Sequence, residues 1–468
     1  MYRVVKLTER IGVGLVSYGS REVSIADALL RSSKYEVELY IADKVRNPFN
    51  VKHSEEHSVF STLDPEEICT FFEEHKEHIS FIIVGPEEPI IKGIRDLGEK
   101  KTGIPFICPT KTCALEASKI AQRNLLQEVA PDVNPRFKVF DPNERRDIGE
   151  VKRELWKWLD ELGNQAVVKP DGATRGKGVG VWGDHFQTRE ELLEHFLSNY
   201  IFGSVIVEEK LVGEESSYMA FCDGARLSPL PDTRDNKRAF EGDRGPNTGG
   251  MGSYKDNTNW LPYLTPQDWE KENSIVQRLF EHLRGKTRNT GFLGVPLYVA
   301  FMHTHSGPKV LEINSRPGDP EIQNIMPILK DDFVDICHSM LEGTLTRIEV
   351  EKKATVVIYK VPPTYGGKEK EYLGDRRVKL EGAETLASAV NNRLRVYPAS
   401  LDSRGEENYA LSSRTVCTVG IADTIEEARD LSLEGIDAIS GGGLWYRKDI
   451  ASKQHIQRSI GHMRALRR

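Results

Sequence analysis

The sequence predicts a multidomain protein of the α/β and α+β classes that opens on a parallel sheet wound with helices. Three observations carry this. The 468 residues exceed what one hydrophobic core serves, and ordinary domain sizes give about two to four packed units. Between residues 11 and 108 short apolar runs alternate with helical patterns. Near Ala354 a new β-branched run begins and ends at paired prolines, which marks a further unit.

Each element follows from its residues. Ile11 to Tyr18 (IGVGLVSY) reads as an apolar strand, followed by the turn Gly19-Ser20-Arg21-Glu22 and a helical pattern through Ala26, Leu29 and Leu30. Val37 to Ile41 is the next strand, Phe81 to Val84 a fully apolar one ending at Gly85-Pro86-Glu87, and Gly103 to Cys108 another. Strands alternating with helices argue for a parallel sheet whose ligands collect at the carboxyl ends. From Thr112 a helix-forming run (CALEASKIAQRNLLQEV) stops before Pro131, a natural boundary. Thr355 to Val361 is a strand closed by Pro362-Pro363, and Val416 to Ile421 another, leading into a helix at Asp423-Thr424.

Composition narrows the function classes. With 38% apolar and 29% charged residues the chain has the balance of a soluble protein, and no run approaches the roughly eighteen apolar residues of a membrane span. Met1 to Arg10 lacks the apolar core and cleavage site of a signal peptide, so a cytoplasmic location is expected. Six cysteines without paired spacing fit buried reduced thiols. The net charge of −7 excludes a global basic field for nucleic acid, and a phosphorylated substrate needs local groups.

The chemistry-bearing segments come in a fixed order. Ala166 to Lys169 is a strand ending in lysine, followed by a glycine-rich basic loop with Gly176, Lys177 and Gly178. Its N–H and ammonium groups can cover a polyphosphate, although a plain hairpin also fits. Val205 to Leu211 runs into Gly213-Glu214-Glu215. The backbone around Glu208, Glu209 and Leu211 could read adenine and Glu215 the ribose hydroxyls, unless this is only a solvated acidic turn. In Lys309 to Arg316, strand alternation puts Glu312 and Asn314 on one face as two hard oxygen ligands for magnesium. A half-exposed edge strand is the bland alternative. His75 and His78 read as a solvated helical face, His303 to Gly307 as a hairpin tip, and Arg464, Arg467 and Arg468 as a frayed basic tail.

Together with Pro246-Asn247-Thr248-Gly249-Gly250-Met251-Gly252, this ordered set resembles the phosphoribosylamine–glycine ligase family. The resembling segments are AVVKPDGATRGKGV, VIVEEKLVGEESS, LPDTRDNKRAFEGDRGPNTGGMGSY and KVLEINSRPGDPEIQ, with further matches near both ends. The resemblance implies a Rossmann-like N-terminal domain (1–112, the amine side) and an ATP-grasp core (113–345) with a lid subdomain at about 131–210. A small C-terminal domain (346–468) completes the chain. It also implies ATP and Mg2+ or Mn2+ as cofactors. Ligation of glycine to phosphoribosylamine through glycyl phosphate is the implied reaction, with small molecules as partners, no nucleic acid or membrane, and a monomer or dimer.

Lys169 and Lys177 are then expected on phosphates, Glu312 and Asn314 on metal, and Arg316 on the glycine carboxylate or the developing charge. Asp235 is expected at the glycine amino group, and Gly19, Ser20, Arg21, Glu22 and Glu87 around the amine substrate. Four departures from the family pattern (Val23, Asn47-Pro48 without a following glycine, Arg234 and Asn236) are expected on the amine side. A related ATP-grasp ligase with another acid or amine, or a nucleotide-binding protein without turnover, remains an alternative at this point.

Overall fold

The computed structural model describes residues 9–144, 147–172, 178–287 and 291–468. Its first layer is a five-stranded sheet ordered Ser54–Val59, Tyr35–Asp43, Glu9–Ser17, Ile79–Val84, Phe106–Ile107, with every neighbouring pair parallel. Glu9–Ser17 lies in the middle because the chain winds first to one side of it and then to the other. The crevice where the winding reverses lies beyond Ser17 and Val84, where an open α/β sheet presents ligands. Helix Ser20–Leu30 starts there.

Residues 137–209 form a separate small layer. The strands Phe137–Phe140, Val205–Glu209, Ala166–Pro170 and Gly180–Val181 lie in that order, all antiparallel. Helices Ile148–Glu161 and Arg189–Tyr200 cover it. Phe140, Leu155, Leu159, Val168, Phe196 and Val207 fill a core of its own. The next sheet, Leu227–Pro229, Glu214–Asp223, Leu293–Thr304, Gly307–Asn314, is also antiparallel. Helix Pro266–Thr287 packs on it.

The last large sheet joins distant parts of the chain. Arg234–Asp235 and Gly252–Lys255 continue into Ala354–Lys360, Val416–Ala422 and Leu394–Pro398. Gly252 allows this pairing, because a Cβ there would meet the Val357 carbonyl oxygen at 2.3 Å. The glycine-rich segment 246–252 is therefore bound edge-on to the C-terminal residues.

Several sequence expectations change. The run from Thr112 is not one helix: two 3-10 turns, Lys111–Cys113 and Leu115–Ala117, precede helix Lys119–Val129. Ser118 caps that helix, its Oγ accepting from Ala121 N, and Ser315 Oγ accepts from Leu115 N, which fixes the preceding turn. The strand expected over Gly103 to Cys108 shrinks to Phe106–Ile107. His75 follows the end of helix Pro65–Glu74, so the two histidines share no helical face and instead flank the Tyr40 ring. His303 is a buried strand residue whose Nε2 lies 2.7 Å from Glu272 Oε1, and the hairpin turn is His305-Ser306 alone. Arg467 is no frayed tail, since it ends helix Lys453–Leu466 and pairs with Asp268 at 2.5 Å. All six cysteines are buried free thiols. Among the described residues no helix is long and apolar enough to cross a membrane.

Candidate active site

The site forms where the small layer faces the Gly307–Asn314 strand. Lys169 leaves the end of its strand and donates to Glu208 Oε2 at 2.7 Å. Arg123, from helix Lys119–Val129, grips the same carboxylate through Nε (2.6 Å) and Nη2 (3.1 Å). It also donates to the carbonyls of Val310 (3.1 Å) and Leu311 (2.7 Å). Those carbonyls lie at a register break between Ala300 and Phe301, a β-bulge just before Glu312. Bulges re-aim the side chains that follow them. One buried arginine thus ties the Val205–Glu209 strand to the strand bearing Glu312.

Burial would raise the Glu208 carboxyl, but Arg123 and Lys169 outweigh it and hold it at about 2, against an ordinary 4.5. A depressed carboxyl contributes stability that is fully present above its unfolded pKa and is lost as pH falls through the folded value. Glu208→Gln should therefore lower stability near neutrality by on the order of 3 kcal/mol. It should also flatten the acid loss between about pH 4.5 and 2. Urea unfolding at pH 7, 4 and 3 reads this, and an unchanged pH profile would contradict it.

Glu312 and Asn314 fall on one face of the strand, opposite Ala300 and Tyr298. Burial disfavours the Glu312 anion, yet Lys237, Arg316, Lys169 and Lys119 together hold its carboxyl below the ordinary range. The carboxylates of Glu208, Glu215 and Glu87 share three of these cations, so Glu312 stands in a mixed cluster of acidic and basic groups. An amide oxygen beside it completes a pair of hard donors, the set that binds magnesium jointly with substrate phosphates rather than in an all-protein cage. The donor chemistry fits such an ion. Burial depresses the Lys169 and Lys119 ammonium groups despite neighbouring carboxylates. Burial also works against Lys237, but Glu215, then Tyr298, Glu312 and Asp235, hold it well above the usual lysine value.

Arg316 lies beyond the strand, with Nη1 donating to the Pro317 carbonyl (2.9 Å) and Nε 3.7 Å from Glu87 Oε2. It therefore bridges the Gly307–Asn314 strand to the crevice of the first sheet. Asp235 is 8% exposed and its Oδ1 has no hydrogen-bond partner. Burial first, and Glu321 next, push its carboxyl well above the ordinary aspartate value. Gly250, at φ 101°, makes space for it: a Cβ there would sit 2.7 Å from that oxygen. An unpartnered buried carboxylate is costly unless a cation arrives.

At the crevice of the first sheet the turn Gly19-Ser20-Arg21-Glu22 opens the helix as expected, but its own groups occupy it. Glu22 accepts from Tyr18 N (3.2 Å) and Gly19 N (3.0 Å), and Arg21 Nε pairs with it at 2.6 Å. The Glu22 carboxylate reaches across the crevice so closely that a Cβ on Gly85 would be 1.8 Å from Oε1. Ser20, 1% exposed, hydrogen-bonds Tyr359 and accepts from Gln323 Nε2 (3.2 Å). Among the remaining expected residues, Glu215 pairs with Lys237 at 3.5 Å. Glu209 Oε1 accepts from Arg136 N, and Leu211 is half-buried just past the strand. The Gly178 carbonyl oxygen lies 2.8 Å from His195 Nε2. Gly176 and Lys177 lie outside the described residues.

All four departures make contacts inside the protein. Val23 is buried against the C-terminal core. Asn47 caps helix Pro48–His53 and donates to the carbonyls of Pro398 and Ala399. Asn236 donates to Gly252 O at 3.2 Å, and Arg234 pairs with Glu214 at 3.1 Å. Each joins neighbouring elements, and Arg234 also donates to the Glu215 carbonyl at 3.0 Å. Sequence reasoning missed Arg123, Lys119, Lys237 and Arg414. Arg414 pairs with Asp319 at 2.6 Å and hydrogen-bonds the Gly249 carbonyl. Only Lys237 had a signal, since it falls two residues after Asp235 in an extended segment.

The two antiparallel layers, with the lysine-bearing end of strand Ala166–Pro170 between them, are those of an ATP-grasp ligase, a class that uses ATP and depends on a divalent metal. Family models agree: residues 142–322 match the phosphoribosylglycinamide synthetase ATP-grasp (A) domain and residues 11–116 its N domain. Phosphoribosylamine–glycine ligase from Methanocella arvoryzae is 37% identical over 97% of this chain and 99% of its own. That from Thermococcus kodakarensis is 36% identical, with 97% and 99% covered. The crystal structure of the Thermotoga maritima phosphoribosylamine–glycine ligase superposes with a TM-score of 0.73 at 24% identity, covering 94% of this chain and 100% of that one. The chain belongs to the phosphoribosylamine–glycine ligase family, C–N bond-forming ligases that make glycinamide ribonucleotide in purine biosynthesis.

Proposed function

We propose that this chain joins glycine to 5-phosphoribosylamine through glycyl phosphate, in the cleft bounded by Lys169, Asp235, Glu312 and Arg316. The observation that carries the reading is Asp235, a buried carboxylate with an unpartnered oxygen. Lys237 feels both Asp235 and Glu312, so in this reading an ammonium site lies next to the polyphosphate site. Glycine carries both the amine and the carboxylate that such a cleft can orient.

Lys169 and Lys177, with the glycine-rich loop of Gly176 and Gly178, hold phosphates, and the backbone at Glu208, Glu209 and Leu211 reads adenine. Glu215 takes the ribose hydroxyls. Glu312 and Asn314 would hold Mg2+ or Mn2+, which neutralises charge on the transferring phosphoryl group. Asp235 draws in the glycine ammonium and Arg316 its carboxylate, whose oxygen attacks the γ-phosphorus and releases ADP. The amine of phosphoribosylamine then attacks the acyl carbon and phosphate departs with that oxygen. Catalysis is positioning plus charge neutralisation, and the chain's partners are these small molecules. In this reading residues 1–112 form the amine-side domain, 113–345 the ATP-grasp core with its lid at about 131–210, and 346–468 the C-terminal domain.

Glu87 would accept from the ribose hydroxyls of the amine, and the turn from Gly19 through Ser20 and Arg21 to Glu22 would shape the pocket for its phosphate. Glu87→Ala should raise the KM for phosphoribosylamine about 10-fold or more and leave that for ATP nearly unchanged, the signature of a contact to one substrate. ADP release assayed with freshly made phosphoribosylamine, each substrate omitted in turn, reads this. Normal amine kinetics in the variant would remove Glu87 from the site. ADP release as fast with an unphosphorylated amine would remove the assigned substrate.

A further inference from the structure

Glu214 and Glu215 are adjacent in one strand, so their side chains face opposite ways. Glu215 points toward Lys237. Glu214 is 8% exposed and faces the last helix, Lys453–Leu466, where His462 Nδ1 lies 2.7 Å from its Oε1. Its other oxygen accepts from Arg234 Nη1 at 3.1 Å. The same Nη1 lies 3.0 Å from the Glu215 carbonyl oxygen, which also accepts from Tyr263 OH at 2.5 Å. Burial disfavours the Glu214 anion, but Arg234, Ser459 and His462 more than compensate and hold its carboxyl below the ordinary range. Arg467 fastens the far end of the helix to Asp268, and His455, 3.0 Å from Asp243, fastens the near end.

We propose that Arg234, Glu214 and His462 form a latch by which the C-terminal helix holds the peptide at Glu215, setting ATP affinity from outside the nucleotide cleft. The proposal rests on the ribose role of Glu215. Arg234 is the natural centre of the latch because a planar guanidinium bonds a side-chain carboxylate and a main-chain carbonyl at once. A neutral amide side chain at this position would leave the buried Glu214 carboxylate with one cation fewer. Glu214, Arg234 and His462 are positioning residues: they act on the nucleotide only through Glu215.

The test is steady-state kinetics of the full chain with ATP and with 2′,3′-dideoxy-ATP. Arg234→Gln and His462→Leu should each raise the KM for ATP by about 5- to 10-fold, keep kcat and the KM for glycine within about twofold, and weaken the preference for ATP over the dideoxy analogue. His462→Gln, which can still donate to Glu214, should restore the wild-type KM. The double variant should be no worse than Arg234→Gln alone, because both act on one path. Unchanged KM for ATP in variants that melt like the wild type would overturn the latch, and so would a parallel rise in the KM of every substrate. If Arg234→Gln does not fold, His462→Leu and His462→Gln decide the matter from the more exposed end. Glu215→Ala is measured alongside: if it still discriminates against the dideoxy analogue, the ribose reading fails, while the KM for ATP in the latch variants is judged separately.

Discussion

Asp235→Asn should cut kcat/KM for glycine by roughly 10²- to 10³-fold, equivalent to about 3–4 kcal/mol, while leaving the fold at least as stable as before. The two effects share a cause. The carboxyl is buried with Oδ1 unpartnered, and burial together with Glu321 holds its pKa well above the ordinary 3.8. A carboxyl whose folded pKa is raised binds more protons folded than unfolded. Stability therefore falls as pH rises from 3.8 toward the raised value, and asparagine removes that loss. The glycine ammonium pairs only with the ionised form, so at a pH below the raised value binding should also release a proton. Calorimetry in buffers of different ionisation enthalpy detects that release, and the melting temperature of the variant reports stability. A variant that is both fully active and less stable would remove Asp235 from the glycine site.

Glu312→Ala and Asn314→Ala should each lower kcat by on the order of 10²-fold or more, far more than they lower folding stability, because losing a hard ligand that would hold the metal costs several kcal/mol of transition-state stabilisation. Removing Glu312 also strips the carboxylate from among Lys237, Arg316, Lys169 and Lys119. The double variant should therefore show a higher demand for free magnesium as well as a lower rate. Assays across a magnesium series separate the two. Near-wild-type turnover of the double variant at modest magnesium would contradict the metal assignment.

Much of the architecture was legible because local periodicity and tertiary placement agree. The alternating runs of residues 11–108 became a parallel sheet, and a strand at Val205 paired with the lysine strand at Ala166. What could not be read was how distant segments meet. Arg123 falls in KIAQRNLLQ, where an arginine is an ordinary solvent-facing helical residue, yet it is 2% exposed because Glu208 and two strand carbonyls converge on it. Arg414 reaches the glycine-rich segment 165 residues away in sequence, and no local pattern marks such a contact. Glu22 was legible as part of a turn, but not as the anion that occupies it, since that depends on Gly85 arriving from another strand. The departures at Val23, Arg234 and Asn236 were easy to see as letters. Their burial between layers was not, because burial of a polar residue depends on partners supplied by the fold.

The central claim is that the glycine carboxylate becomes the acyl phosphate, and the most direct test follows one oxygen. Glycine labelled with 18O in both carboxylate positions is turned over with unlabelled ATP and freshly prepared phosphoribosylamine, and the phosphate released is analysed by 31P NMR or mass spectrometry. The account predicts one 18O atom in each inorganic phosphate, because the attacking carboxylate oxygen leaves with the phosphoryl group when the amine displaces it. Inorganic phosphate free of 18O, with amide product formed at the normal rate, would contradict it.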